Sequence, residues 1–395
     1  MGANYLFMLL CFLVWTADAK FEVKPFNVKD YGAIANGKMD NSAAFLKAWS
    51  DACKWDGHAS ILIPKGTYML NPVIFVGPCK GRTTFEIEGI LKAPTDRSLY
   101  PNLDKWINFR YIDQLRVTGG GILDGQGSSA WPPKGSRNNP RWPTRPVTML
   151  FDFITNGHVD NLHSINSKGG HFIVFGSQNM SFTNLKLLAP GDSANTDGIK
   201  IGASNGINIT SSIIGTGDDC VAMISGTRKV RIEDVYCGPG HGISVGSLGK
   251  NDWEEDVRDI FVKNCTFNGT SDGLRIKTWA APLKKTLMAS NFVYEDIIMH
   301  NVGHPINIDQ EYCPYPPCGK VASHVQISNV RYKNIQGSGN TEIAVSFKCS
   351  KVKPCQNITV DNIDLWSYGR KTNIVNMCSH AHGTSYGKQI PPSCI

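Results

Sequence analysis

Five short strings in this chain share one pattern at near-regular intervals. They are Asp197–Ile201 (DGIKI), Asp219–Met223 (DCVAM), His241–Val245 (HGISV), Asp272–Ile276 (DGLRI) and His304–Ile308 (HPINI). Their starts lie 22, 22, 31 and 32 residues apart, and a weaker copy, His171–Phe175, begins 26 residues before the first. Each string alternates apolar with variable residues, which is strand periodicity. Second alternating segments fall between them: 206–210, 230–235, 257–262 and 325–330. A period near two dozen residues with several short strands per period predicts a parallel β-helix, whose coils stack at the spacing of parallel strands, about 4.8 Å. A propeller would need blades of about forty residues. The expectation is thus an all-β, single right-handed parallel β-helix. Ile199, Val221, Ile243, Leu274 and Ile306 would form one inward ladder, and Ile201, Met223, Val245, Ile276 and Ile308 a second. Asparagines at 161, 184, 205, 264, 301, 329, 334 and 362 sit where turns are expected, and asparagine tolerates left-handed backbone. The one good helical pattern, Asp40–Trp49, has a capping residue and apolar residues at helical spacing, and is read as a cover for the exposed first coil. A Cys378–Cys394 loop would tether the other end.

Residues 1–19 read as a secretory signal: the apolar run Tyr5–Trp15 is too short to span a bilayer, and Ala17-Asp18-Ala19 resembles a cleavage site. The leader lacks a Lys or Arg before its apolar run. Gly2 does not make a myristoylation signal, because position 6 is Leu6. Residues 20–395 are then one catalytic domain, with no linker and no later segment apolar enough for a membrane. The chain carries a net charge of +7, or +8 once Asp18 leaves with the leader. Such a charge suits an anionic partner, either nucleic acid, for which the Lys and Arg are dispersed and not clustered on a helix, or an anionic polysaccharide; charge alone does not choose. Of twelve cysteines, Cys11 leaves with the leader. Nearest-neighbour pairing of the others gives 53–79, 220–237, 313–318, 349–355 and 378–394, with Cys265 a buried thiol. N-x-[ST] sequons at Asn179, Asn208, Asn264, Asn268 and Asn357 fit secretion, with some expected to face inward. A monomer is the default for a secreted solenoid.

The shared register carries the chemistry. Asp197, Asp219 and His241 occupy one place on three successive coils, and Asp218 directly precedes Asp219. Stacking would gather three carboxylates and a histidine in one patch, an arrangement that is costly unless it is used. Farther along the same face, Arg275 and Lys277 alternate outward between the inward Leu274 and Ile276.

Asn195-Thr196-Asp197, Gly217-Asp218-Asp219, Gly240-His241-Gly242 and Arg275-Ile276-Lys277 resemble the four signatures of the polygalacturonases, the family 28 glycoside hydrolases. The resemblance extends over essentially the whole mature chain, through Val28–Ala33, Ile63–Tyr68, Gly119–Gly125 and Asp309–Cys313. It implies hydrolysis of α-1,4-galacturonosidic bonds in polygalacturonate (pectin) with inversion and without a cofactor or metal. It implies Asp218 as general acid, Asp197 and Asp219 holding and deprotonating the water, and His241 tuning the acid. Arg275 and Lys277 would grip the galacturonate carboxylate, and Asn195 and Tyr312 would line the site. Gly238–Lys250 and Gly77–Gly81 look similar to plant pollen-type exopolygalacturonases, so exo action releasing galacturonic acid at the cell wall is expected, with endo action the alternative. Loops 130–146 and 279–289 are the candidates for closing the cleft. One departure is Ala222, where Ser or Gly is more usual.

The roles make physical sense. An inverting glycosidase needs an acid and a base about 6.5–9.5 Å apart, which one coil step plus diverging side chains can reach. Crowding of carboxylates is expected to raise the proton affinity of one of them, which keeps an acid protonated near mildly acidic pH. Two rival readings differ in outcome: a pectate lyase would yield unsaturated products, and an inactive wall-binding β-helix would be expected to lose a carboxylate.

Overall fold

A computed structural model describes residues 23–100, 104–132, 145–318, 321–369 and 374–395. The leader 1–19 and most of the 130–146 loop lie outside them. The alternating apolar pattern resolves into coils of a parallel β-helix, right-handed as crossovers between parallel strands are. One wall is an eleven-stranded parallel sheet, from Val73–Val76 to Val375–Ser379. The other is a bent sheet of twenty-one strands among the described residues.

The register follows the repeats. In the eleven-stranded sheet Phe172, Ile199, Val221, Ile243, Leu274, Ile306 and Val345 pair in succession. Ile201, Met223, Val245, Ile276, Ile308 and Phe347 form the second file. Both files are buried. The opposite wall carries two strands per coil, such as Asn205–Thr210 and Ile213–Gly215. From Val257 onward these fuse into long bent strands, Val257–Asn268 and Leu287–Val302 among them.

Bends in that wall use left-handed residues in two columns. One column runs through Asn161, Asn184, Ser211, Asp234, Asn264, Asp296, Asn334 and Asn362, all at positive φ. Side-chain amides bond down it, for example Asn334 to Asp296 at 2.9 Å and Asn362 to Asn334 at 3.2 Å. The second includes Asn179, Gly206, Asp259, Asn291, Asn329 and Asn357. Asn205 departs from the expectation: the left-handed position belongs to Gly206, at φ +74°, where the lack of a Cβ makes that backbone inexpensive. All five sequon asparagines are exposed, so none faces inward as expected; three of them stand in these columns.

The helix Ser42–Lys54 covers the first coils. Its buried side is Ala44, Phe45, Ala48, Trp49 and Ala52, the spacing of one helical face. Trp49 lies 5.1 Å from Phe75 and 5.7 Å from Phe109 between ring centroids. The cap is supplied by Asp40, whose carboxylate accepts from the Ser42 amide at 3.0 Å, while Asn41 turns back to the Ile34 amide. Disulfides join 53–79, 220–237, 313–318, 349–355 and 378–394. Cys265 is free and buried, and burial pushes its thiol up to about 12. No helix among the described residues is long and apolar enough to cross a membrane.

Candidate active site

Strand register brings the functional side chains together at one place on the outer face of the eleven-stranded sheet. Asp197, Asp219 and His241 each stand two residues before a core position paired across successive coils. The amide of Gly198 donates to the Asp219 carbonyl at 2.8 Å, and that of Cys220 to the Gly242 carbonyl at 2.8 Å, so this shared place is fixed by backbone bonds. The turns are also pinned to each other. Thr196, fully buried, accepts the Gly217 amide on its hydroxyl at 2.8 Å and thereby ties the Asp197 turn to the Asp218-Asp219 turn. Gly217 is required there, because a Cβ would stand 1.8 Å from the Ser193 carbonyl oxygen.

Each carboxylate has its own cationic or potentially cationic partner. Asp219, 3% exposed, accepts from Lys277 Nζ at 2.7 Å on one oxygen and from Ser244 Oγ at 2.7 Å on the other. Asp218 lies 3.2 Å from His241 Nδ1 and accepts from Asn195 Nδ2 at 3.3 Å. Asp197, also 3% exposed, pairs with Lys200 Nζ at 2.8 Å. Asn195 in turn accepts from Arg145 at 2.7 Å. Asp218, Asp219 and His241 bring ligand-type atoms within 4.8 Å of one another, but both Asp219 oxygens are already engaged by Lys277 and Ser244, which leaves a poor donor set for a metal.

The proton affinities diverge. Burial raises the Asp197 carboxyl above the usual range, with Asp218 and Asp219 adding to the rise and Lys200 opposing it. Although burial opposes it, Asp218 is lowered, through its bond to His241 and the nearby Lys277 and Lys200. His241 is raised against its own burial by Asp218 and Asp219. Crowding thus helps raise one carboxylate, as expected, and it is Asp197; Asp218, the general acid that the resemblance implies, is lowered, and in the free protein the Asp218–His241 pair places its proton on the imidazole. The reason is the bond between Asp218 and His241, with Lys277 and Lys200 nearby.

Arg275 and Lys277 do point outward as the alternation required, but neither is idle. Lys277 is bound to Asp219, and Arg275 lies 3.4 Å from Asp272 and stacks over Tyr312 at 5.3 Å. Tyr312 also packs edge-on against Trp279. A cavity of about 380 Å³ opens over Asn195, Asp218, His241, Arg275, Lys277 and Tyr312. The Cys313–Cys318 loop supplies Pro314 and Tyr315 to its wall. A second hollow continues past Lys200 and Ala222 to Lys250 and Trp253.

Every residue singled out from sequence thus lies in one patch. Lys200, Ser244 and Arg145 were missed. Lys200 and Ser244 were readable in principle, since they share the outward position of Arg275 on earlier coils. Arg145 belongs to the 130–146 loop expected to close the cleft, though nothing in the sequence singled out that residue.

Carboxylates paired with a histidine in a basic, solvent-open cleft define a hydrolase site for an anionic polymer. The chain belongs to the glycosyl hydrolases of family 28, whose model matches residues 53–385. It is 43% identical over 368 residues to an exopolygalacturonase from Platanus acerifolia, covering 93% of this chain and 96% of that one. It is 38% identical over 392 residues to a polygalacturonase from Brassica napus, covering 99% and 96%. Among solved structures, an exopolygalacturonase from Thermotoga maritima shares the fold with a TM-score of 0.71 at 18% identity, covering 87% of each chain.

Proposed function

We propose that this enzyme hydrolyses α-1,4-galacturonosidic bonds in polygalacturonate with inversion, acting from a chain end and releasing galacturonic acid outside the cell. The observation that carries the reading is the stack Asp197–Asp219–His241, with Asp218 beside it, in a cleft lined by Arg275 and Lys277. Asp218 receives the proton shared with His241 and delivers it to the glycosidic oxygen, and the Asp218–His241 pair regains a proton from solvent before the next turnover. Asp197 and Asp219 hold the water and take its proton. Arg275 offers a planar fork to the sugar carboxylate, with the Tyr312 ring fixing its orientation. Lys277 adds positive charge to the cleft, its Nζ 2.7 Å from the Asp219 carboxylate. Exo action is supported by relatives named exopolygalacturonase and by the disulfide-closed loop at the cavity wall.

Chromatography of products from polygalacturonate, followed beside viscosity, tests this. Galacturonic acid with slowly falling viscosity is expected; mixed oligomers with a fast drop would mean endo action. Asp218→Asn should abolish turnover. The raised proton affinity of Asp197 favours a second reading, in which Asp197 is the acid and Asp218 the base. A pH–rate profile separates the two, as set out below.

A further inference from the structure

Two of the three site carboxylates have partners that the functional reading already uses. The third partner, Lys200, has no role in it. Lys200 is the outward residue of the strand Ile199–Gly202 and is followed on the next coils by Ala222, Ser244 and Arg275. Its Nζ is 2.8 Å from Asp197 Oδ2. The small side chain of Ala222 beside it presents no competing polar group.

We propose that Lys200 is a positioning residue that holds Asp197 as the carboxylate, so that Asp197 can accept the proton of the attacking water. This rests on the assignment of Asp197 as base. The charges around Asp197 make the need plain. Asp218 and Asp219 face it from the next coil, and both favour its protonation. Lys277 and His241 lie beyond them but are engaged with Asp219 and Asp218. Arg145, on the side of the preceding coil, is engaged with Asn195. His171, whose amide donates to the Asp197 carbonyl, is buried and neutral, pushed to about 3 by burial. Lys200 is therefore the cation in direct contact with this buried carboxylate. A contacting opposite charge lowers a carboxylate's pKa by roughly one to three. Without Lys200, burial and the two neighbouring carboxylates would act on Asp197 with no contacting cation to oppose them, and a protonated carboxyl cannot act as base.

The test compares wild type, Lys200→Met and Lys200→Arg. Activity on polygalacturonate is measured across the acidic and neutral range, with kcat and KM separated at each pH. Lys200→Met should move the acidic limb of kcat upward by at least about one pH unit, and Lys200→Arg should restore most of it. Movement of the basic limb instead would identify Asp197 as the acid and overturn the proposal. A rise in KM with both limbs unmoved would make Lys200 a substrate contact, and unmoved limbs with unchanged KM would make it structural; either overturns it. The Asp197 carboxyl titration, read by carbon NMR in wild type and Lys200→Met, needs no turnover. A raised midpoint there with no galacturonate hydrolysis would refute the functional reading and leave the ion pair's effect intact. An unmoved midpoint would refute this assignment alone.

Discussion

Replacing Lys277 by Met should destabilise the protein more than any ordinary surface change, and the structure says why. Lys277 and Asp219 are 7% and 3% exposed, and their charged atoms are 2.7 Å apart. Methionine preserves the volume of the stem and removes the charge, leaving a buried carboxylate with Ser244 as its one side-chain partner. Removing one member of a buried ion pair costs about 3–5 kcal/mol, because the other charge stays desolvated. The variant Lys277→Met should therefore lose roughly that amount in guanidinium unfolding. Adding Asp219→Asn should recover a good part, since the orphaned charge is gone. The double-mutant cycle is the decisive quantity: a coupling of about 1–3 kcal/mol is expected for groups in contact. Additivity within about 0.5 kcal/mol would refute the claim that the pair is coupled in the native state.

Other outcomes follow from the same geometry. Gly217→Ala forces a Cβ against the Ser193 carbonyl and displaces the acid-bearing turn, so turnover should fall by about a hundredfold, measured as kcat. The Asp218–His241 pair predicts a window of stability. Asp218, lowered, contributes above the ordinary carboxylate value of about 3.9 and loses this as pH falls through its depressed value. His241, raised, contributes fully below about 6.5 and loses this as pH rises through its elevated value. Thermal midpoints against pH should thus fall on the alkaline side in wild type and fall less in His241→Gln; identical profiles would contradict the pairing. Cys265, buried and held near 12, should resist a thiol reagent in the native protein and react once unfolded; rapid native labelling would place it elsewhere.

Much of the fold was legible because a solenoid repeats its physics. The five strings sharing the pattern of Asp197–Ile201 stated both the period and which residues face in, and the ladders from Ile199 to Ile306 follow directly. Disulfides could be read by proximity because each joins residues of the same or adjacent coil. Local preferences were less legible: the left-handed position at the Asn205–Gly206 step went to glycine. The patch of acids was legible from register alone. Its electrostatics were not, because proton affinity depends on which atoms touch. Sequence placed Asp218 beside His241, but which carboxylate burial raises and which the histidine lowers could be read only from the contacts. Lys277 looked like a free grip and is instead a partner of Asp219. Arg145 reaches Asn195 from a segment that no periodic pattern marks.

The central claim is a single displacement by water, with acid and base on opposite sides of the bond. Proton NMR of the newly formed sugar during the first turnovers on polygalacturonate reads this directly, before the anomers equilibrate. The β-anomer should appear first. Initial release of the α-anomer would contradict the account, as would unsaturated products in its place.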